Sequence, residues 1–226
     1  GNTFVFVILT VPGVTITGLA LAIALNRETR MVAFDRTVFF TSHVLSVAVV
    51  TLIWRYMFGS NRGIFAEMAE AIGRYPIVWL TNTDLAMIAI VIATIWWSMG
   101  LAMVLFLAGL QGIPAERQKA AELDGAGRFT IFTRIMLPLS IPAVTTLAII
   151  TFLYAWNDYL WPLVSAQRQE MYTITVGLGS IQGNFAETEG LGRLMASGIV
   201  ASLPVVALFV VFQRFVVRGI AMGSSK

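Results

Sequence analysis

The segment "AERQKAAELDGAGRFTIFTRIMLP", residues 115–138, concentrates Glu116, Lys119, Glu122 and Asp124 around the small residues Ala120, Ala121, Gly125 and Ala126. Charge beside alanines and glycines makes no bonds, but it lets a partner's surface approach closely and pair with it. A second set lies in two apolar runs. At helical spacing Thr94, Trp97, Ser98 and Leu101 share one stripe, and Thr151, Tyr154, Ala155 and Asp158 share another. Aromatic faces with hydroxyls and a carboxylate suit a polyhydroxylated ligand, which offers apolar ring faces and many hydroxyls. Packing against a neighbour is the competing reading for Trp96 and Trp97, and an interfacial aromatic belt is the competing reading for residues 154–161.

Several chemistries are excluded. The chain has no cysteine, so thiol catalysis, disulfides and zinc–thiolate sites are absent. Its one histidine, His43, cannot hold a metal alone, and no Ser/His/Asp arrangement is present. Neither lysine, Lys119 or Lys226, completes the G-x-x-x-x-G-K-[ST] phosphate loop. Any nucleotide hydrolysis belongs to another chain, and no cofactor is expected in this one.

The elements that position these residues are apolar. The 226 residues are 58% hydrophobic and 12% charged, against about 25% charged in a soluble domain. The mean hydropathy is +0.81. This is the composition of an integral membrane protein, and the net charge of +3 comes from basic residues scattered between apolar runs rather than from a nucleic-acid-binding patch. Five runs are long enough to cross a bilayer: about 3–25, 37–58, 84–110, 139–164 and 195–217. Segment 64–73 reads as a short amphipathic surface helix, with Ile64, Phe65, Met68 and Ile72 on one face and Glu67 and Glu70 on another. The expected fold is an all-α polytopic helix bundle forming one transmembrane domain over 1–226.

Lys and Arg set the orientation. Arg27, Arg30, Arg36, Arg117, Lys119, Arg128, Arg134, Arg214, Arg218 and Lys226 lie on one side. Arg62, Arg74, Arg168 and Arg193 lie on the other, beside five acids. The larger set marks the cytoplasm, which puts Gly1 outside and the tail 218–226 inside. Arg55 sits near the outer end of its run and can snorkel; His43 reads as a packed or hydrogen-bonded residue. The sequence opens at Gly1 with no Met and no basic region ahead of its first apolar run, so that run is not read as a signal peptide, and the numbering is expected to start inside a longer protein.

Within 111–138, Gly125 is expected to take a left-handed conformation and end a helix over 115–124. A second helix over about 128–136 should stop before Pro138.

"KAAELDGAGRFTIFTRIMLP" resembles the EAA loop of binding-protein-dependent ABC importer permeases, through Ala120, Ala121, Asp124, Gly125, Ala126, Phe132, Ile135, Leu137 and Pro138. The family's leading glutamate is replaced by Lys119, with Glu116 and Glu122 nearby. "FDRTVFFTSHVLSVAVVTLIWRYMF", "WNDYLWPLV" and "FQRFVVRGIAMGS" are similar to the carbohydrate branch, the maltose- and glycerol-3-phosphate-type permeases. The resemblance implies a six-span core whose first span precedes Gly1, a second permease chain, two ATPase subunits carrying ATP and Mg, and an extracytoplasmic sugar-binding protein. It implies a bacterial or archaeal plasma membrane. It also implies that the loop, through Glu116, Lys119, Ala120, Ala121, Glu122, Asp124, Gly125 and Ala126, seats in the ATPase. Sugar contacts are implied at Thr94, Trp97, Ser98, Leu101, Thr151, Ala155 and Asp158. The alternatives are a permease for an amino acid, peptide or phosphate, and an ion-driven secondary carrier. The second needs ionisable residues deep in the spans, where Asp158 and Arg55 alone are found.

Overall fold

The computed structural model describes residues 1–27, 29–60, 63–111, 125, 127–165, 169–182 and 190–223. Every regular element among them is helical. In chain order these are α1 (Asn2–Ala24), α2 (Arg30–Val44), α3 (Val47–Met57), α4 (Ile64–Ala71), α5 (Thr83–Gln111) and α6 (Arg128–Ile131). A π-helical turn (Phe132–Met136) leads into α7 (Leu137–Asn157), followed by α8 (Leu160–Ser165), a 3₁₀ turn (Gln169–Met171), α9 (Ile174–Gln182) and α10 (Gly190–Gly223). Among the described residues four helices are long and apolar enough to cross a membrane: Asn2–Ala24, Leu85–Gln111, Leu137–Asn157 and Leu194–Gln213.

The fifth expected span, 37–58, is not one helix. It is α2 and α3, bent by 100° at Leu45–Ser46. Both residues leave the helical region, with ψ of 138° and 153°. A break in an apolar helix strands backbone carbonyls, which must find donors inside the protein. Here α5 supplies one: Trp97 Nε1 donates to Leu45 O at 3.2 Å. Ser42, in the last turn of α2, donates back to Trp96 O at 3.2 Å. The bend is therefore held from both sides.

The central helix is α5, which packs along α1, α2 and α7. Small residues allow the close approach. A Cβ on Gly13 would lie 2.4 Å from Ile95 Cδ1, and one on Gly18 would lie 2.5 Å from Ala102 Cβ. The pairing of 13 with 95 and 18 with 102 makes α1 and α5 parallel. Helix α7 runs the other way, since Ala155 lies in the same apolar cluster as Ala89 and Ala93 while Leu147 lies in that of Met103 and Phe106. One apolar layer, around Phe6, Val50, Trp54, Ile90 and Trp161, gathers the N-terminal ends of α1 and α5. The other, around Val14, Phe106, Leu110 and Leu147, gathers their C-terminal ends.

Polar groups finish the helix ends. The Arg36 guanidinium donates to Leu25 O, from Nη2 at 2.7 Å and Nε at 3.2 Å, and to Arg27 O at 3.3 Å. A cation on the C-cap carbonyl just past α1 satisfies an orphan acceptor and complements the helix dipole. At the opposite end Thr3 Oγ1 accepts from Ile174 N at 2.8 Å, tying the start of α9 to α1.

Three other expectations change. The run 139–164 is α7 and α8, separated at Asp158–Tyr159, because Asp158 (ψ 121°) leaves the helix and starts the next one. The stretch 128–136 does not stop before Pro138: the π turn runs directly into α7, whose first turn holds Pro138. The last helix continues to Gly223, past the expected start of a tail at 218. Helix α4 spans Ile64–Ala71, within the expected 64–73. Phe65 packs on Phe58 and Trp79, with ring centroids at 5.3 and 6.2 Å, whereas Met68 and Ile72 remain exposed.

Candidate functional site

Two separate places carry the residues singled out by sequence. In the loop, Glu116, Lys119, Ala120, Ala121, Glu122, Asp124 and Ala126 lie outside the described residues. Gly125 is described, and its φ of +79° is the left-handed conformation that glycine adopts without steric cost. Helical structure resumes at Arg128.

The second place is the layer where α5 meets α7 and α8. Thr94 is buried and its Oγ1 makes two bonds, donating to Ile90 O at 2.8 Å and accepting from Trp161 Nε1 at 3.1 Å. Trp97, half-buried, uses its indole N–H on the α2–α3 break. Ser98 and Leu101 continue the stripe and are half-buried. On α7 the stripe divides: Thr151 and Ala155 are 8% and 6% exposed, whereas Tyr154 is 73% exposed. Trp156 and Trp161 are buried, so within this stretch only the aromatics Tyr154 and Tyr159 are exposed as an interfacial belt would require. Trp156 Nε1 donates to Ala201 O at 3.0 Å, joining α7 to α10 near Pro204.

Asp158 is not on the stripe of Thr151 and Ala155, because α7 ends one residue before it. Its Oδ1 accepts from Trp161 N at 3.3 Å, which caps α8. Its own carbonyl accepts from Thr175 Oγ1 at 2.6 Å, so the α7–α8 corner is also tied to α9. Arg55 is exposed, as a snorkelling residue would be. His43 is half-buried against Phe40, with ring centroids at 6.3 Å, and its Nδ1 has no partner among the described residues.

Sequence reasoning missed Trp161 and Ser42, whose partners lie 67 and 54 residues away. Spacing cannot reveal such pairs. The cap was visible in principle: an Asp three residues before a backbone N–H, with Pro162 following, is a helix-start pattern.

The Thr94–Trp161 pair is unequal, and this gives a prediction. Thr94→Val strands a buried indole N–H, which costs about 1–3 kcal/mol. Trp161→Phe leaves Thr94 bonded to Ile90 O and costs less through the lost hydrogen bond. Thermal unfolding of the purified permease should rank Thr94→Val below the wild type. An unchanged midpoint would mean that the indole finds another acceptor.

A protein family described as "binding-protein-dependent transport system inner membrane component" matches residues 2–222. Over 115 residues the chain is 36% identical to the arabinooligosaccharides transport system permease protein AraQ of Halalkalibacterium halodurans, covering 51% of this chain and 40% of that protein. It is 31% identical over 130 residues to the trehalose/maltose transport system permease protein MalG of Thermococcus litoralis, covering 58% and 46%. The matched stretches thus span less than half the length of these two relatives. The fold is similar to that of a chain in the crystal structure of a bacterial alginate ABC transporter in complex with alginate pentasaccharide-bound periplasmic protein, with a TM-score of 0.82, 19% identity, and coverage of 92% of this chain and 74% of that one. With an all-helical fold and a match over nearly its whole length, the chain belongs to the family of inner membrane components of binding-protein-dependent transport systems.

Proposed function

We propose that this chain is the transmembrane pathway subunit of an ATP-driven sugar importer. The family match over residues 2–222 carries this reading, together with a loop sequence of EAA type whose glycine is left-handed. The sugar class is supported by relatives named for arabinooligosaccharides and for trehalose and maltose. A second permease, two ATPase subunits that bind ATP and Mg, and an extracytoplasmic sugar-binding protein complete the machine. It lies in a bacterial or archaeal plasma membrane, with Gly1 outside and the C-terminal end in the cytoplasm.

In this mechanism the loaded binding protein docks on the outer linkers 59–83 and 165–194. ATP closes the ATPase pair, and the loop 111–138, through residues 116–126, transmits that closure to the helices. The cavity then opens outward, receives the sugar, and resets after hydrolysis. Trp97, Ser98, Leu101 and Asp158 are open enough to meet a ligand in the present conformation. Thr94, Thr151 and Ala155 would reach it only after the α5–α7 contact loosens.

Uptake of labelled sugars into proteoliposomes holding the assembled complex tests this reading. Uptake should require ATP and loaded binding protein and survive collapse of ion gradients. Uptake that follows an ion gradient without ATP would establish a secondary carrier instead, and ATP-driven uptake of amino acids alone would reassign the substrate.

A further inference from the structure

Trp54 on α3 is 7% exposed and Ser165 at the end of α8 is 5% exposed. Neither Trp54 Nε1 nor Ser165 Oγ has a hydrogen-bond partner among the described residues. An unpaired buried donor is costly, and two of them close together are unusual. Both side chains line one cavity, together with Phe58, Ile90, Trp161 and the exposed Arg55. Its volume is about 10 Å³. That is about the space one water molecule needs.

We propose that this cavity is a built site for a single water that accepts from Trp54 Nε1 and bonds Ser165 Oγ. The indole N–H can only donate, so the occupant must accept. A hydroxyl can do either, so water's second bond is free to run in either direction. Apart from Arg55, which is exposed and can turn its charge to solvent, the remaining lining is aromatic and aliphatic, which leaves these two groups to fix the water's position. Helices α3 and α8 pack together here, and no direct hydrogen bond joins them among the described residues. The water supplies that link. It ties the far limb of the bent α2–α3 pair to the short helix that Trp161 already anchors to Thr94 on α5. The two interruptions of the bundle, at Leu45–Ser46 and at Asp158–Tyr159, then share one rigid block. This inference does not depend on what the protein transports.

The test is a double-mutant cycle in the assembled, full-length complex, with Trp54→Phe, Ser165→Ala and the pair. Each single change should lower the permease's Tm by roughly 2–4 °C, as expected for the loss of one hydrogen-bonded link in a protein of this size. The double variant should be no less stable than the weaker single variant, because the water links the two groups. A structure of the wild-type complex at a resolution that shows waters should hold one density peak within hydrogen-bond distance of both atoms. Strictly additive losses, or an empty cavity at that resolution, would overturn the proposal. So would bromide-dependent density in the cavity, which would mark an anion site using Arg55.

Discussion

Gly100→Ala is expected to weaken the packing of α2 on α5 severely. A Cβ at this position would lie 2.1 Å from Phe39 O, 2.8 Å from Phe39 C and 2.9 Å from Phe40 Cα. All three are backbone atoms of α2, so no side chain can swing aside and the helix itself must move. Overpacking of this kind costs about 3 kcal/mol or more. The displacement also pulls on the bonds that hold the bend, Ser42 to Trp96 O and Trp97 to Leu45 O. Gly177→Ala is the natural control. It lies within α9 and its added Cβ would meet nothing within 4 Å, so it should be neutral or stabilise by up to about 1 kcal/mol. Thermal unfolding of the two purified variants checks this. A Gly100→Ala midpoint equal to that of Gly177→Ala would mean that α2 does not rest on α5 as described.

The contrast between these two glycines shows what could be read from the sequence and what could not. Long apolar runs announced helices, because in lipid every backbone group must be satisfied within the segment. Gly125 announced a left-handed turn, because few other residues adopt one cheaply. The break at Leu45–Ser46 gave no such sign. It contains neither proline nor glycine, and its stranded carbonyl is satisfied by a tryptophan 52 residues away. Hydropathy measures transfer into lipid and is blind to whether an apolar run is straight. The end of α7 at Asn157 was hidden for the same reason, since aromatic residues carry the hydrophobic pattern on through Trp161.

The residues singled out for ligand contact show a related limit. Their stripes were legible from the 3.6-residue period, but the period cannot say where each polar group spends its hydrogen bonds. Thr94 bonds within the fold to Ile90 and Trp161, and the indole of Trp97 props the bend. Asp158 caps the following helix instead of extending the stripe. Those partners come from tertiary packing, which one chain's local pattern does not encode.

Gly125→Pro is expected to have the largest functional effect. Proline holds φ near −65°, whereas this residue sits at +79°. The turn before α6 cannot form in that variant, so the loop should no longer fit the ATPase that the proposed function assigns to it. Gly125→Ala is milder, because a left-handed alanine costs roughly 1–2 kcal/mol, and it should keep partial coupling. Neither change touches the apolar layers, since a Cβ at Gly125 meets nothing within 4 Å. Assembly of the transmembrane part should survive in both variants.

The decisive measurement is ATPase activity of the reconstituted complex with a panel of sugar-loaded binding proteins, comparing wild type with Gly125→Pro. Stimulation by one class of sugar in the wild type, falling to the basal rate in the variant while all subunits still co-purify, is the predicted result. Equal stimulation of both would contradict coupling through residues 115–138.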